Sequence, residues 1–376
     1  VVFENFQRLL LLICAFIFSF DVEVFSEIRL VDPLFILFLV ISIKHWVKAS
    51  FILVLVSVYL LALSFLHSVV SHDVGSLYRA GHFFKYLLIF IAFFFLYESR
   101  LRFKIALFEI KYAFLVAVLW IPLYHFLRIE GYIHGGYRPV SPFSTDYFAS
   151  DAHLLACNLS IILFYFKAIY NGSDISRSVF VWLTIFAIFL TGSRTGIIGI
   201  FLVFMLNGNA KSILLGLCAI FVSLVFFLQL SDFVSSANLD ESLIRVVDRF
   251  SKIDFSTDGS ALGRIDKLNI ALGEIQHYFY IIGVGVMGAG MTFYDGLVSI
   301  LLVHGGFVWL VFVFGALLFF YVSLKEKEAR NLLVIYISLN MITEYIFVNR
   351  SLIVFVIVMF YAIRGQKEGD DCNACR

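Results

Sequence analysis

Apolar residues fill this chain in long continuous blocks, not at the three-to-four-residue interval of a helix with one wet face. A block of about 20 apolar residues crosses a bilayer as one helix. About twelve blocks of roughly that size follow from the pattern, near 6–20, 28–43, 49–66, 83–97, 105–127, 148–170, 179–190, 195–207, 212–230, 296–323, 331–348 and 350–363. The seventh and eighth are short enough to be broken or re-entrant halves. The longest break in the pattern lies between Ser231 and Asp295.

Composition points the same way. Hydrophobic residues make up 61% of the 376, where soluble domains sit near half. The expected fold class is therefore an all-α polytopic membrane protein, with residues 1–376 forming a single integral membrane domain. Basic residues in short loops set the orientation. With the N-terminus inside, the inner loops carry Lys44 and Lys48; Arg100, Arg102 and Lys104; Arg177; Lys211; and Lys325, Lys327 and Arg330. The tail 364–376 adds Arg364, Lys367 and Arg376, so both termini are expected on the cytoplasmic side. Arg8 before the run Leu9–Phe20 imitates a signal peptide. No small-residue cleavage site follows, and the run reads as a retained anchor.

Cysteine adds little. Cys14, Cys157 and Cys218 sit in apolar runs as small hydrophobes, and Cys372 with Cys375 forms a lone CxxC without the second pair that zinc needs.

Two expected outer loops differ from the rest. The loop 128–147 holds Gly131, Gly135, Gly136, Pro139 and Pro142, a composition that forbids a continuous helix. The loop 231–295 contains two helical patterns. Leu243, Val247 and Phe250 recur in the first. Ile265, Leu268, Leu272, Ile275 and Phe279 form an apolar stripe in the second, with Arg264, Lys267, Glu274 and Tyr278 opposite. Helices of this kind lie along a membrane surface or over the mouth of a bundle.

Charged groups inside apolar spans cost about 2.5–3.5 kcal/mol each, so their positions carry information. Asp146, Asp151, His153, Arg194, Asp295, Glu344 and Arg350 all fall toward the outer ends of their spans. Glu109 and Lys111 lie near the inner end of the fifth span and read as a structural pairing with another helix or with headgroups. His304, followed by Gly305 and Gly306, reads as a mark of close helix packing. The GxGxxG at Gly283, Gly285 and Gly288 lacks the preceding strand of a dinucleotide site and reads as a hinge. Between the seventh and eighth spans runs Thr191-Gly192-Ser193-Arg194-Thr195-Gly196. Its small residues let backbones approach, and an arginine there seeks an anion, since a guanidinium grips phosphate bidentately and stays charged.

Three stretches together carry a likeness: TGSRTG at 191–196; Gly263-Arg264 with the amphipathic helix and Gly283-Val284-Gly285 after it; and Tyr294-Asp295-Gly296 before a span with Gly305-Gly306. In these the chain resembles the bacterial O-antigen polymerase and O-antigen ligase family of membrane glycosyltransferases. The resemblance implies a glycosyltransferase-C-like helical bundle with a long periplasmic loop, placed in the bacterial inner membrane. It implies donors that are glycans on a polyprenyl pyrophosphate, held by essential arginines at Arg194 and Arg264. Tyr294-Asp295 stands where the ligase branch carries histidine, which looks like the polymerase branch.

The expected activity is therefore polymerisation of undecaprenyl-pyrophosphate-linked oligosaccharide repeats into O-antigen, without cofactor or metal. Arg194 and Arg264 would stabilise the leaving diphosphate and Asp295 would act as base. Arg138, Arg245, Arg249, Asp146, Tyr294 and Glu344 would bind pyrophosphate or glycan. Expected partners are the lipid-linked oligosaccharides, membrane lipids and a chain-length-regulating co-polymerase; nucleic acid is not among them. The alternatives are an O-antigen ligase acting on lipid A core and a lipid-linked oligosaccharide flippase, which would show inverted repeats.

Overall fold

The computed structural model describes residues 110–133, 152–208 and 297–342, the short stretches 23–25 and 28–29, and isolated positions at 58, 62, 65, 214, 266, 269, 270, 273, 281, 356, 359, 360 and 363. The regular elements among these residues are helices and one small hairpin. In it β1 (Glu23–Phe25) pairs antiparallel with β2 (Ile28–Arg29). The second expected span was drawn from residue 28, where the chain is still extended.

Six helices follow: α1 (Ile110–Ile129), α2 (Ala152–Phe164), α3 (Asp174–Leu190), α4 (Arg194–Asn207), α5 (Leu297–Ser323) and α6 (Lys327–Ile342). α1 and the Gly306–Ser323 part of α5 are long and apolar enough to cross a membrane. At 1.5 Å per residue, α3 and α4 reach about 25 and 21 Å, short of a ~30 Å hydrocarbon core.

The outward faces are as apolar as the inward ones. On α1, Ile110, Phe114, Ala117, Ile121 and Tyr124 are buried, while Tyr112, Val116, Leu119, Leu123 and Phe126 are exposed at the same helical spacing. α5 buries Trp309, Val313, Leu317 and Phe320 and exposes Phe307, Val311, Leu318, Phe319 and Val322. A helix apolar all round suits hydrocarbon on its outer side, and a water-facing helix would carry charge there.

The helices pack on one another in several pairs. α4 lies against α2, α3 and α6, and α1 lies against α3 and α2. The α2–α4 contact depends on absent side chains. A Cβ on Gly199 would stand 2.6 Å from Ser160 Cβ, and one on Gly196 would stand 3.2 Å from Ala156 Cβ. Small residues at such a contact let the two backbones approach closely.

At one end of the bundle, α2 widens into a π-helical turn, Tyr165–Ile169, closed by the Tyr170 amide donating to the Tyr165 carbonyl at 2.9 Å. Tyr165, Phe166, Tyr170 and Phe180 pack ring to ring around it, and Phe114 of α1 meets the first two edge-on. α3 begins at Asp174, five residues before the expected start, because the Ser173 hydroxyl accepts from the Ser176 amide and caps it. At this same end Asn331 of α6 donates to the Leu206 carbonyl at 2.9 Å and to Asn207 Oδ1 at 2.8 Å, tying down the last turn of α4. Lys111 lies with its amine 4.7 Å from the ring centre of Tyr112, the residue next to it. Glu109 lies outside the described residues.

One expected span is not continuous. α5 breaks at Gly306, whose φ of 62° and ψ of −161° belong to glycine alone. Gly305-Gly306 therefore interrupts a helix, where the sequence suggested a packing contact. The Val308 amide past the break donates to the Ile281 carbonyl at 3.2 Å. The His304 side chain lies outside the described residues.

Candidate functional site

The opposite end of the bundle gathers the end of α1, the start of α2 and the α3–α4 turn. α1 stops through a glycine: Gly131 takes φ 77°, its amide donates to the Arg128 carbonyl and the Tyr132 amide to the Leu127 carbonyl, each at 2.9 Å. α3 stops the same way. Gly192 takes φ 65° and donates to the Phe189 carbonyl at 3.0 Å. The Thr191 hydroxyl donates to the Ile188 carbonyl at 2.6 Å and accepts from the Ser193 amide at 3.2 Å. Thr191, Ser193 and Thr195 are all buried. The TGSRTG stretch is thus a self-bonded turn with its hydroxyls turned inward.

Two imidazoles clasp it. His125 of α1, itself buried, donates from Nε2 to the Leu190 carbonyl at 2.9 Å, so the last residue of α3 gains a partner from another helix. His153 of α2 shares a hydrogen bond with Ser193 through Nδ1 and Oγ, 2.8 Å apart. Ser193 is the cap residue of α4, yet its hydroxyl makes no bond to the first turn of that helix. Arg194 is the first residue of α4, half-buried, with its Nε shielded from solvent.

Charge follows from this layout. The N-terminus of α4 carries the positive end of its helix dipole, and Arg194 adds a full charge there. A helix N-terminus with a guanidinium beside it favours phosphate or carboxylate. Each imidazole is placed to orient a neighbour or to move a proton. Among the described residues no three His, Cys, Asp or Glu side chains gather as a metal cage.

Of the residues singled out in the sequence, the structure brings Arg194 and His153 together around Ser193. Arg138, Asp146, Asp151, Arg245, Arg249, Arg264, Tyr294, Asp295, Glu344 and Arg350 lie outside the described residues, as does the Gly283–Gly290 segment. In the loop 231–295, Asp266, Asn269, Ile270 and Gly273 have helical backbone, with Asp266 and Asn269 exposed. Sequence reasoning passed over His125. Its signal was present: a lone imidazole in an otherwise apolar stretch, about one turn before the helix end. It also passed over Gly199, whose value appears only once Ser160 is seen across from it. Comparison with protein-family models, with curated proteins and with solved structures finds no match for this chain.

Proposed function

We propose that this chain is a multi-pass membrane glycosyltransferase that polymerises undecaprenyl-pyrophosphate-linked oligosaccharide repeats into O-antigen at the periplasmic face of the bacterial inner membrane. The observation that carries the reading is Arg194 at the first turn of α4, half-buried beside the Thr191–Ser193 turn and two imidazoles. Apolar outward faces on α1, α3, α4 and α5 support a bilayer around it. The resemblance of TGSRTG and its companion motifs to the polymerase family supplies the substrate class.

In this reading about twelve spans form a glycosyltransferase-C-like bundle with both termini cytoplasmic, and the end carrying Ile129 and Thr191 faces the periplasm. The growing chain is the donor and a single lipid-linked repeat the acceptor. The acceptor hydroxyl attacks the anomeric carbon, and the bond to the lipid pyrophosphate breaks. Arg194, joined by Arg264, neutralises charge developing on the leaving diphosphate. Asp295 takes the hydroxyl proton, with Asp146 and Glu344 next in line. Arg138, Arg245, Arg249 and Tyr294 contact pyrophosphate or glycan. A chain-length-regulating co-polymerase is the expected protein partner.

The test is Arg194→Ala in a strain lacking the native copy, read as silver-stained lipopolysaccharide. Removing a preorganised charge partner slows such steps about 10²–10³-fold, enough to erase long chains. Lipopolysaccharide capped by a single repeat, with the variant present in the membrane, is the expected result. Wild-type chain lengths would overturn the role of Arg194. Deletion of the gene separates the rivals: bare core with polymer on its carrier means a ligase, and single repeats stranded inside the cell mean a flippase.

A further inference from the structure

The end of the bundle away from Arg194 holds a pair of cations that the proposed chemistry does not use. α1 fixes the depth of that end. Its 20 residues, at about 1.5 Å each, match one hydrocarbon core, so in a bilayer its two ends stand at the two surfaces. Lys111 marks one of them. Phe114, one turn further in, meets Tyr165 and Phe166 edge-on, which puts the π turn and its Lys167 at nearly the same level.

Lys167 is half-buried, and its amine stands 5.1 Å from the ring centre of Phe204 in the last turn of α4. The charge of Arg177, on the first turn of α3, reaches it. Arg177 is held in turn, its Nε donating to the Tyr170 carbonyl at 3.2 Å. Among the described residues no carboxylate forms an ion pair with Lys167. The carboxylate beside Arg177 is Asp174, 3.8 Å away and 98% exposed, where water screens it. Topology asks only for positive charge in a short loop and places no demand on where each amine goes. Here two like charges are held near one another at headgroup depth, one by a ring and the other by a backbone carbonyl. An anion that meets both relieves their repulsion.

We propose that Lys167 and Arg177 bind the headgroup phosphate of an anionic phospholipid. The surroundings favour a phosphate that carries acyl chains. Tyr112 and Val116 on α1, and Ile175 and Val179 on α3, are exposed apolar side chains at this end. Basic sites between membrane helices recognise anionic headgroups in this way. A zwitterionic headgroup brings its own cation and gains less. The inference rests on the reading that the bundle lies in a bilayer, and it does not depend on the glycan chemistry.

Purified full-length protein in detergent is titrated with phosphatidylglycerol and, separately, with phosphatidylcholine of the same chains. Native mass spectrometry reads the dissociation constant of the first bound lipid. Wild type should prefer phosphatidylglycerol. Lys167→Gln and Arg177→Gln should each weaken that lipid about fivefold and leave phosphatidylcholine unchanged. Lys167→Arg keeps the charge and should stay close to wild type. So should Lys325→Gln, which removes an exposed cation at the same end. Equal affinity for the two lipids overturns the inference. An effect of Lys325→Gln as large as that of Lys167→Gln also overturns it, by showing diffuse attraction only. Ammonium phosphate should displace no more lipid than ammonium acetate of equal ionic strength; greater displacement would mean a site for the free anion and overturn the lipid assignment. Washing membranes with alkaline carbonate separates the two levels. If the chain stays in the pellet while the lipid preference is absent, only this site falls. If the wash releases the chain, the bilayer reading falls as well.

Discussion

Replacing Gly199 by alanine tests whether the α2–α4 pair is held by backbone approach. The new Cβ would lie 2.6 Å from Ser160 Cβ and 3.5 Å from Leu339 Cδ2, with Ser160 Oγ nearer still. Carbon atoms rest about 3.5–4.0 Å apart, so the two helices must part by roughly 1 Å. Overpacking of this kind costs about 1–3 kcal/mol, against which the better helix propensity of alanine returns up to ~1 kcal/mol. A matched control is built into the chain. Gly315 on α5 has nothing within 4 Å of the position a Cβ would take, so Gly315→Ala gains the propensity term without the clash. Thermal unfolding of the purified variants should place Gly199→Ala below Gly315→Ala by ~1–3 kcal/mol, or about 1–4 °C in Tm. Adding Ser160→Gly to Gly199→Ala should recover much of the loss, because the pair shares one contact. Equal Tm for the two alanine variants, with no relief from Ser160→Gly, would refute the close-packing argument. Arg194 lies five residues before Gly199, about 7.5 Å along α4, so the same displacement should also weaken the site.

Asn331→Leu removes the donor to the Leu206 carbonyl and to Asn207; it should cost about 1–3 kcal/mol in thermal unfolding and speed hydrogen exchange in the last turn of α4. Gly306→Ala forces a side chain into backbone that tolerates none, at a cost of about 1–3 kcal/mol, and exchange at the Val308 amide should rise as its bond to Ile281 is lost. His125→Phe keeps a ring of similar shape and removes the donor to Leu190, so stability should fall by about 1–3 kcal/mol; an unchanged Tm would show that the Leu190 carbonyl needs no partner.

What the sequence reveals here divides along one physical line. Transfer into hydrocarbon is a property of runs of residues, so the positions of α1, α2, α4 and α5 are legible within a few residues. The gathering of His153 and Arg194 at one end is legible for the same reason, since polar groups avoid the interior of apolar blocks. The start of α3 was hidden because Asp174, Ser176 and Arg177 look like loop to a hydropathy reading. The cap signal at Ser173 is local hydrogen bonding, which hydropathy does not register. The π turn at Tyr165–Ile169 and the break at Gly306 depend on what packs against them: an aromatic cluster in one case, the Ile281 carbonyl in the other. No periodicity announces either.

The same distinction explains the site. TGSRTG reads in sequence as a flexible, small-residue loop with one charge. In the structure it is a hydrogen-bonded turn: Thr191 bonds back to Ile188, Gly192 to Phe189, and the two imidazoles reach in from α1 and α2. A buried hydroxyl left unsatisfied would cost about 1–3 kcal/mol, so the turn and the imidazoles depend on each other. That dependence is what fixes the start of α4, and with it the place of Arg194. An arginine on a flexible loop would lose the benefit of its charge to reorganisation each time an anion arrived. One placed on the first turn of a pinned helix meets an anion already oriented, which is the preorganisation that the proposed role of Arg194 requires.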